Sequence, residues 1–155
     1  MAYSLLEQHA RDLDIFLSDG SKLIHIASAG GALPKSILES DVYNDNILSS
    51  ISQIDSNLNF EVDINPNLIE ILNLNENEIE NYIKSFVDMA SKGFYSYDKT
   101  RIGNFEDQTF HLVAKPSSPT NPNILFETYE LNENLIISNL SFPNDYQVFN
   151  LSEYV

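Results

Sequence analysis

The sequence predicts an α+β fold, and three observations predict it. Residues 13–28, LDIFLSDGSKLIHIAS, hold two apolar, β-branched runs around an Asp-Gly pair, the pattern of a β-hairpin. Residues 75–93 carry apolar groups at helical spacing between a capping pair and a glycine. From Phe94 onward the hydrophobic period changes to two and stays there. The expected architecture is an N-terminal β-hairpin, central helices and a C-terminal antiparallel sheet packed against the main helix. A chain of 155 residues with 43% hydrophobic content is read as a single domain, residues 1–155, able to bury about two-thirds of its unfolded surface.

In chain order, the hairpin comes first. Asp19-Gly20 suits a two-residue type I′ turn, which pairs Phe16 with Leu23 and Ile15 with Ile24 and sets Asp14 opposite His25. Both faces of the hairpin are then apolar, so both are expected to be covered. Gly30-Gly31 breaks the second strand, and Pro34 can open a short helix. Ile47, Leu48, Ile51 and Ile54 predict an amphipathic helix over 44–54. In NFEVDINP, Phe60, Val62 and Ile64 alternate with polar residues as in a half-buried strand, which Pro66 ends.

The strongest helix runs near residues 76–92. Asn75 caps it, Glu78 is the reciprocal partner three residues on, and Gly93 supplies the left-handed position past its end. Ile79, Ile83, Phe86 and Ala90 form its apolar stripe, flanked by Tyr82 and Val87, while Glu76, Glu80 and Lys84 face water. Beyond it, FYSYD, TFHLVAK, ILFETYEL, NLIISNL and YQVFNL are five strand candidates separated by Gly, Asn and Pro clusters.

Composition narrows the classes of function. Eight Lys and Arg against 23 Asp and Glu leave a net charge of −15. Such a surface repels phosphate backbones and anionic lipid, so neither nucleic acid nor membrane is an expected partner, and a basic protein is. With no cysteine, a disulfide framework, a thiolate metal site and a cysteine nucleophile are all excluded. The N-terminal segment has no basic stretch followed by an apolar run, and no stretch of about 18 apolar residues occurs, so the expected location is cytoplasmic.

Motifs for chemistry are weak, and no catalytic, cofactor or metal residue is assigned. His9, His25 and His111 share no ligand spacing, and the pair Asp14–His25 is explained by cross-strand contact. In residues 55–67, DSNLNFEVDINPN, carboxylates and amides fall at alternate positions as in a calcium loop. Phe60 nevertheless stands where that loop needs glycine, and Pro66 where it needs a bidentate glutamate, so only weak calcium binding stays open. SAGGA at 28–32 has adjacent glycines but no Lys-Ser/Thr directly after them, so a tight turn explains it. No serine lies in G-x-S-x-G.

KGFYSYDKTR, residues 92–101, packs three aromatics and three of the basic residues into ten positions. Lys92 and Gly93 belong to the helix end. In the strand that follows, Tyr95 and Tyr97 point to one side, either as a sheet surface or as anchors of a protein contact, while Lys99 and Arg101 fall in the exit loop.

The function these features imply is a small acidic binding protein that neutralises a basic partner, most specifically an immunity-type inhibitor of a bacterial toxin or effector. It needs no chemistry of its own, so it is expected not to be an enzyme and to need no cofactor. Its partner-binding residues would be Glu76 and Glu80 on the main helix, Glu127, Glu130 and Glu133 around Tyr129, and Tyr95 and Tyr97 as anchors. Two alternatives stand beside it: an enzyme whose polar pocket gathers Asp14, His25 and His111, and a scaffold subunit held through a sheet edge such as YQVFNLSEYV.

Overall fold

The computed structural model describes residues 2–42, 44–54, 58–131 and 135–155. Its helices are α1 (Leu5–Ala10), α2 (Lys35–Leu38), α3 (Asp45–Gln53), α4 (Leu68–Leu72), α5 (Glu76–Ser91) and α6 (Pro122–Thr128). Its strands are β1 (Asp14–Ser18), β2 (Leu23–Ala27), β3 (Val62–Ile64), β4 (Phe94–Lys99), β5 (Thr109–Pro116), β6 (Ile136–Ile137) and β7 (Phe149–Asn150). Among the described residues these strands form one sheet in the order β3-β5-β4-β2-β1-β6, with β7 on β5.

The α+β class is as predicted, and the sheet is mixed. Strands β3, β4, β5 and β7 pair antiparallel, with α5 packed across β4 and β5. The hairpin is not a separate N-terminal unit, because β2 joins β4 in parallel and β1 joins β6 in parallel. It thus lies inside the sheet, which explains why both of its faces are apolar.

The hairpin turn is wider than two residues. Ser18 pairs with Leu23 and Phe16 with His25, leaving residues 19–22 as the loop. Asp19 decides this, since its Oδ1 accepts from the Ser21 and Lys22 amides at 3.0 Å each and its Oδ2 meets Lys22 Nζ at 2.6 Å. The same Oδ2 accepts the Phe142 amide at 2.8 Å, so the turn also anchors the C-terminal segment. A slip of two residues keeps every side chain on its predicted face.

Strands β4 and β5 slip by one at Ser96/Tyr97: Ser96 faces Ala114, but Tyr97 faces Leu112 and Asp98 faces His111. This bulge leaves Val113 unpaired in the ladder, and Asn65 fills the gap by donating its amide N–H to the Val113 carbonyl and its side chain to the Leu112 carbonyl. Without the slip His111 would point to the opposite face.

Each face has its own cover. On one, Ile15, Leu17, Ile24, Ile26, Tyr97 and Leu112 are buried by Tyr3, Leu33, Ile37, Phe142 and Leu151. On the other, Phe16, Leu23 and Phe94 meet α3 and α6, while Ala27, Val113 and Ala114 meet α4 and α5. Segment ILFETYEL is a helix, not a strand: Asn121 Oδ1 caps it by accepting from the Asn123 amide at 3.0 Å, and Pro122 takes the first position. Helices α1 and α4 were not predicted. The first has a legible signal, since Ser4 and Glu7 form a capping box.

Candidate functional site

The predicted contact residues divide by exposure. Glu76 and Glu80 lie on the outer face of α5, and Glu127 and Glu130 are exposed at and just beyond the end of α6. Glu133 lies outside the described residues. The three tyrosines are corrected, because each is buried and unable to anchor a partner. Tyr97 donates to the Pro143 carbonyl at 2.7 Å with Phe142 and Phe149 against its ring. Tyr129 donates to the Lys92 carbonyl at 2.7 Å and packs on Phe94. Tyr95 lies in the core with Lys22 Nζ 5.6 Å from its ring centre. Alternation placed Tyr95 and Tyr97 correctly on one side, and the C-terminal segment then covered that side.

Lys99 is also corrected: it is the last residue of β4, is 1% exposed, and donates to the Asp107 carbonyl. Its stem runs under Gly31, where a Cβ would come within 2.7 Å of it. The glycine pair is therefore a close approach of backbone to side chain, and the nearby amides of Ala29 and Gly31 are satisfied by Asp12 and by the Ser28 carbonyl. In the segment spaced like a calcium loop, Asp55 and Asn57 lie outside the described residues, and Val62–Ile64 is strand. Among the described residues no group of three or more His, Asp or Glu could hold a metal ion. None of their helices is long and apolar enough to cross a membrane.

Beneath α5 the sheet carries two hydrogen-bonded polar chains. In the first, Asp14 Oδ1 lies 2.6 Å from His25 Nε2, and His25 Nδ1 lies 2.6 Å from Ser96 Oγ. Asp14 and His25 are diagonal neighbours rather than directly opposite, and the predicted contact forms all the same. Serine, imidazole and carboxylate here follow the order of nucleophile, base and orienting acid. Ser96 is nevertheless 0% exposed, beneath the α5 side chain Phe86, whose ring stands 6.2 Å from that of His25. A substrate carbonyl has no approach to its Oγ.

In the second chain the Tyr82 hydroxyl donates to Asp98 Oδ2 at 2.6 Å and lies 3.0 Å from His111 Nε2, and Thr100 Oγ1 lies 2.8 Å from His111 Nδ1. Burial pushes the Asp98 carboxyl up to about 7, against the lowering effect of the Tyr82 hydrogen bond. Burial also pushes His111 down to about 4, so its imidazole is neutral near pH 7. A neutral ring offers one donor and one acceptor, and the chain closes when Thr100 donates to Nδ1 and Nε2–H donates to Tyr82. Protonation of Asp98 would reverse every bond in the chain, Asp98 donating to Tyr82 and Tyr82 to His111. The bulge that turned His111 to this face makes the chain possible. Asp14 and His25 are thus brought together, while His111 belongs to the neighbouring chain; His25, Ser96, Asp98 and His111 are buried, and Asp14, Tyr82 and Thr100 are half-buried at the margins.

Among the described residues, the β6 edge has open hollows beside it. Ile137 is 72% exposed and lines two hollows, one of about 260 Å³ with Phe126 and Leu135, the other of about 340 Å³ with Leu140 and Tyr154. The edge named for the scaffold alternative, YQVFNLSEYV, is partly used: Phe149 and Asn150 pair with β5, and Leu151–Glu153 turns into a 3₁₀ helix.

No family model, curated protein or solved structure matches the chain in the comparisons made.

Proposed function

We propose that the protein is an acidic cytoplasmic binding protein that neutralises a basic partner, most specifically an immunity-type inhibitor of a bacterial toxin or effector. The observation that carries this reading is where the chain's own cations go. Arg11 pairs with Asp45, Lys22 with Asp19, Lys35 with Glu39, Lys92 with Asp88 and Arg101 with Asp107. Lys99 is buried. With most of its cations engaged internally, a net charge of −15 is presented outward by residues such as Glu76, Glu80, Glu127 and Glu130.

Such a field draws in a cationic surface and lifts association rates toward roughly 10⁸–10⁹ M⁻¹s⁻¹ at low salt. Affinity must come from apolar contact as well, because exposed charge pairs contribute only about 0–1 kcal/mol each. The buried tyrosines do not supply that contact.

The test is affinity capture from the native lysate at low and high salt, followed by association kinetics with the purified partner. One basic protein retained through high salt is the expected result, with Glu127→Lys plus Glu130→Lys slowing association and flattening its salt dependence. A salt-labile mixture of basic proteins would overturn the reading.

A further inference from the structure

We propose that the outer edge of β6 is a docking site for an extended segment of a basic partner, one that carries an apolar side chain next to a lysine or arginine. The inference rests on the acidic-binder reading and names the place and mode of binding.

Among the described residues, β6 ends the sheet, with β1 on one side and no strand on the other. Unpaired strand edges template the pairing of another chain, and proteins usually guard them with charge or proline. The opposite edge follows that rule, since β3 has Asp63 exposed, with exposed Glu61 just before the strand and Pro66 two residues beyond it. Residues 135–142, LIISNLSF, contain neither a charged residue nor a proline. Ile137 at 72% and Leu140 at 54% are instead exposed apolar groups beside this edge.

The two hollows lie on opposite faces of the sheet. Ile137 pairs with Ser18, on the α6 face, and Ser18, Pro122, Phe126 and Leu135 line the smaller one. Ile136 pairs with Leu17, on the other face, and Ser36, Glu153 and Tyr154 line the larger one with it. A strand added beside Ile137 sends successive side chains to opposite faces, and so into one hollow and then the other.

The linings specify those side chains. Pro122, Phe126 and Leu135 fit an apolar group, whereas the Glu153 carboxylate and the Tyr154 ring fit a cation. Glu127, one helical turn after Asn123 at the smaller hollow, adds negative charge, and among the described residues no lysine or arginine lines either hollow. A second copy of this chain would bring its own Glu127 and Glu153 to the same place, where like charges oppose pairing. Because β6 is two residues long, its backbone sets register and the hollows supply most of the affinity.

The test uses the full chain and a library of capped nonapeptides that alternate Lys or Arg with Val, Leu or Ile, against block-ordered peptides of the same composition. Alternating peptides should bind, shift the amide signals of residues 136–138 and slow hydrogen exchange at the Ile137 amide. Ile137→Lys, at a position exposed enough to leave the fold intact, and Glu153→Lys should each weaken binding at least tenfold, while Glu76→Lys plus Glu80→Lys should not. Equal binding of block-ordered peptides, no binding by any peptide, or shifts confined to α5 would each overturn the proposal. So would a dimer of the free chain that Ile137→Lys dissociates, because the occupant would then be a second copy. Equal capture of one basic protein by the wild-type and Ile137→Lys chains would remove the β6 site and leave the acidic-binder reading standing.

Discussion

On one face of the sheet Ile15, Leu17, Ile24, Ile26 and Leu112 meet Tyr3, Leu33, Ile37 and Phe142, and the contact is almost wholly apolar. On the other, beneath α5, the same strands present Asp14, His25, Ser96, Asp98 and His111, linked by short hydrogen bonds. The first face is held by area removed from water. The second must satisfy every donor and acceptor, because an unpaired polar group in the core costs about 1–3 kcal/mol. Hence the two faces should respond differently to substitution and to pH.

The largest expected effect is on the apolar face. Ile26→Ala removes a fully buried side chain and should lower stability by about 2–5 kcal/mol, with the urea midpoint falling and its slope unchanged. A loss below about 1 kcal/mol would mean that the N- and C-terminal cover collapses onto the cavity, and that this face is looser than its burial implies.

Next comes the pH response of the polar face. Asp98 binds a proton in the folded state up to about pH 7, whereas the unfolded carboxyl loses it near pH 3.8, so this group makes stability fall as pH rises between those values. His111 stays neutral down to about pH 4, whereas the unfolded ring charges below about 6.5, so it makes stability rise with pH across that window. The two slopes are opposite and nearly cancel between pH 4 and 6.5. Asp98→Asn should uncover the histidine slope of about 1.4 kcal/mol per pH unit, so that the variant gains roughly 3 kcal/mol relative to the wild type between pH 4 and 6.5. Parallel curves for the two proteins, measured by urea unfolding at several pH values, would show that Asp98 titrates alike in both states.

The smallest effect tests the link between the two groups. Tyr82→Phe keeps the ring and removes the hydroxyl that joins Asp98 to His111, which should lower stability by about 1–3 kcal/mol. Because the Tyr82 hydrogen bond holds the Asp98 carboxyl down, the midpoint of its titration should move up, as followed by NMR. An unchanged titration would mean that water replaces the hydroxyl.

Much of this was open to local reading. Asn75 and Glu78 identify the start of α5 because both partners of the capping box lie within one turn, and the contact occurs. The apolar runs around Asp19-Gly20 identify the hairpin because alternation depends only on neighbours in the chain. The misreading of α6 was also local: Ile124, Leu125, Phe126 and Tyr129 look like strand residues, and the start signal Asn121-Pro122 was the better guide. Of the candidate contacts, Glu76 and Glu80 were legible from helix periodicity and charge, Glu127 and Glu130 from charge alone because their segment reads as a strand, and the β6 edge was not.

The sequence by itself determined the α+β class, the main helix with its caps, the position of the hairpin and the acidic surface, because each depends on residues within a few turns of one another or on a sum over the whole chain. Only the tertiary structure decided the rest. Whether Tyr97 is an anchor or core depends on Phe142 and Phe149, about fifty residues away in the chain. Whether His111 faces Asp98 depends on a one-residue bulge that Asn65 stabilises from a different strand connection. Whether β6 stands unguarded depends on which strand ends the sheet. In each case the controlling partner lies far along the chain, and a period-two pattern reads the same whichever partner arrives.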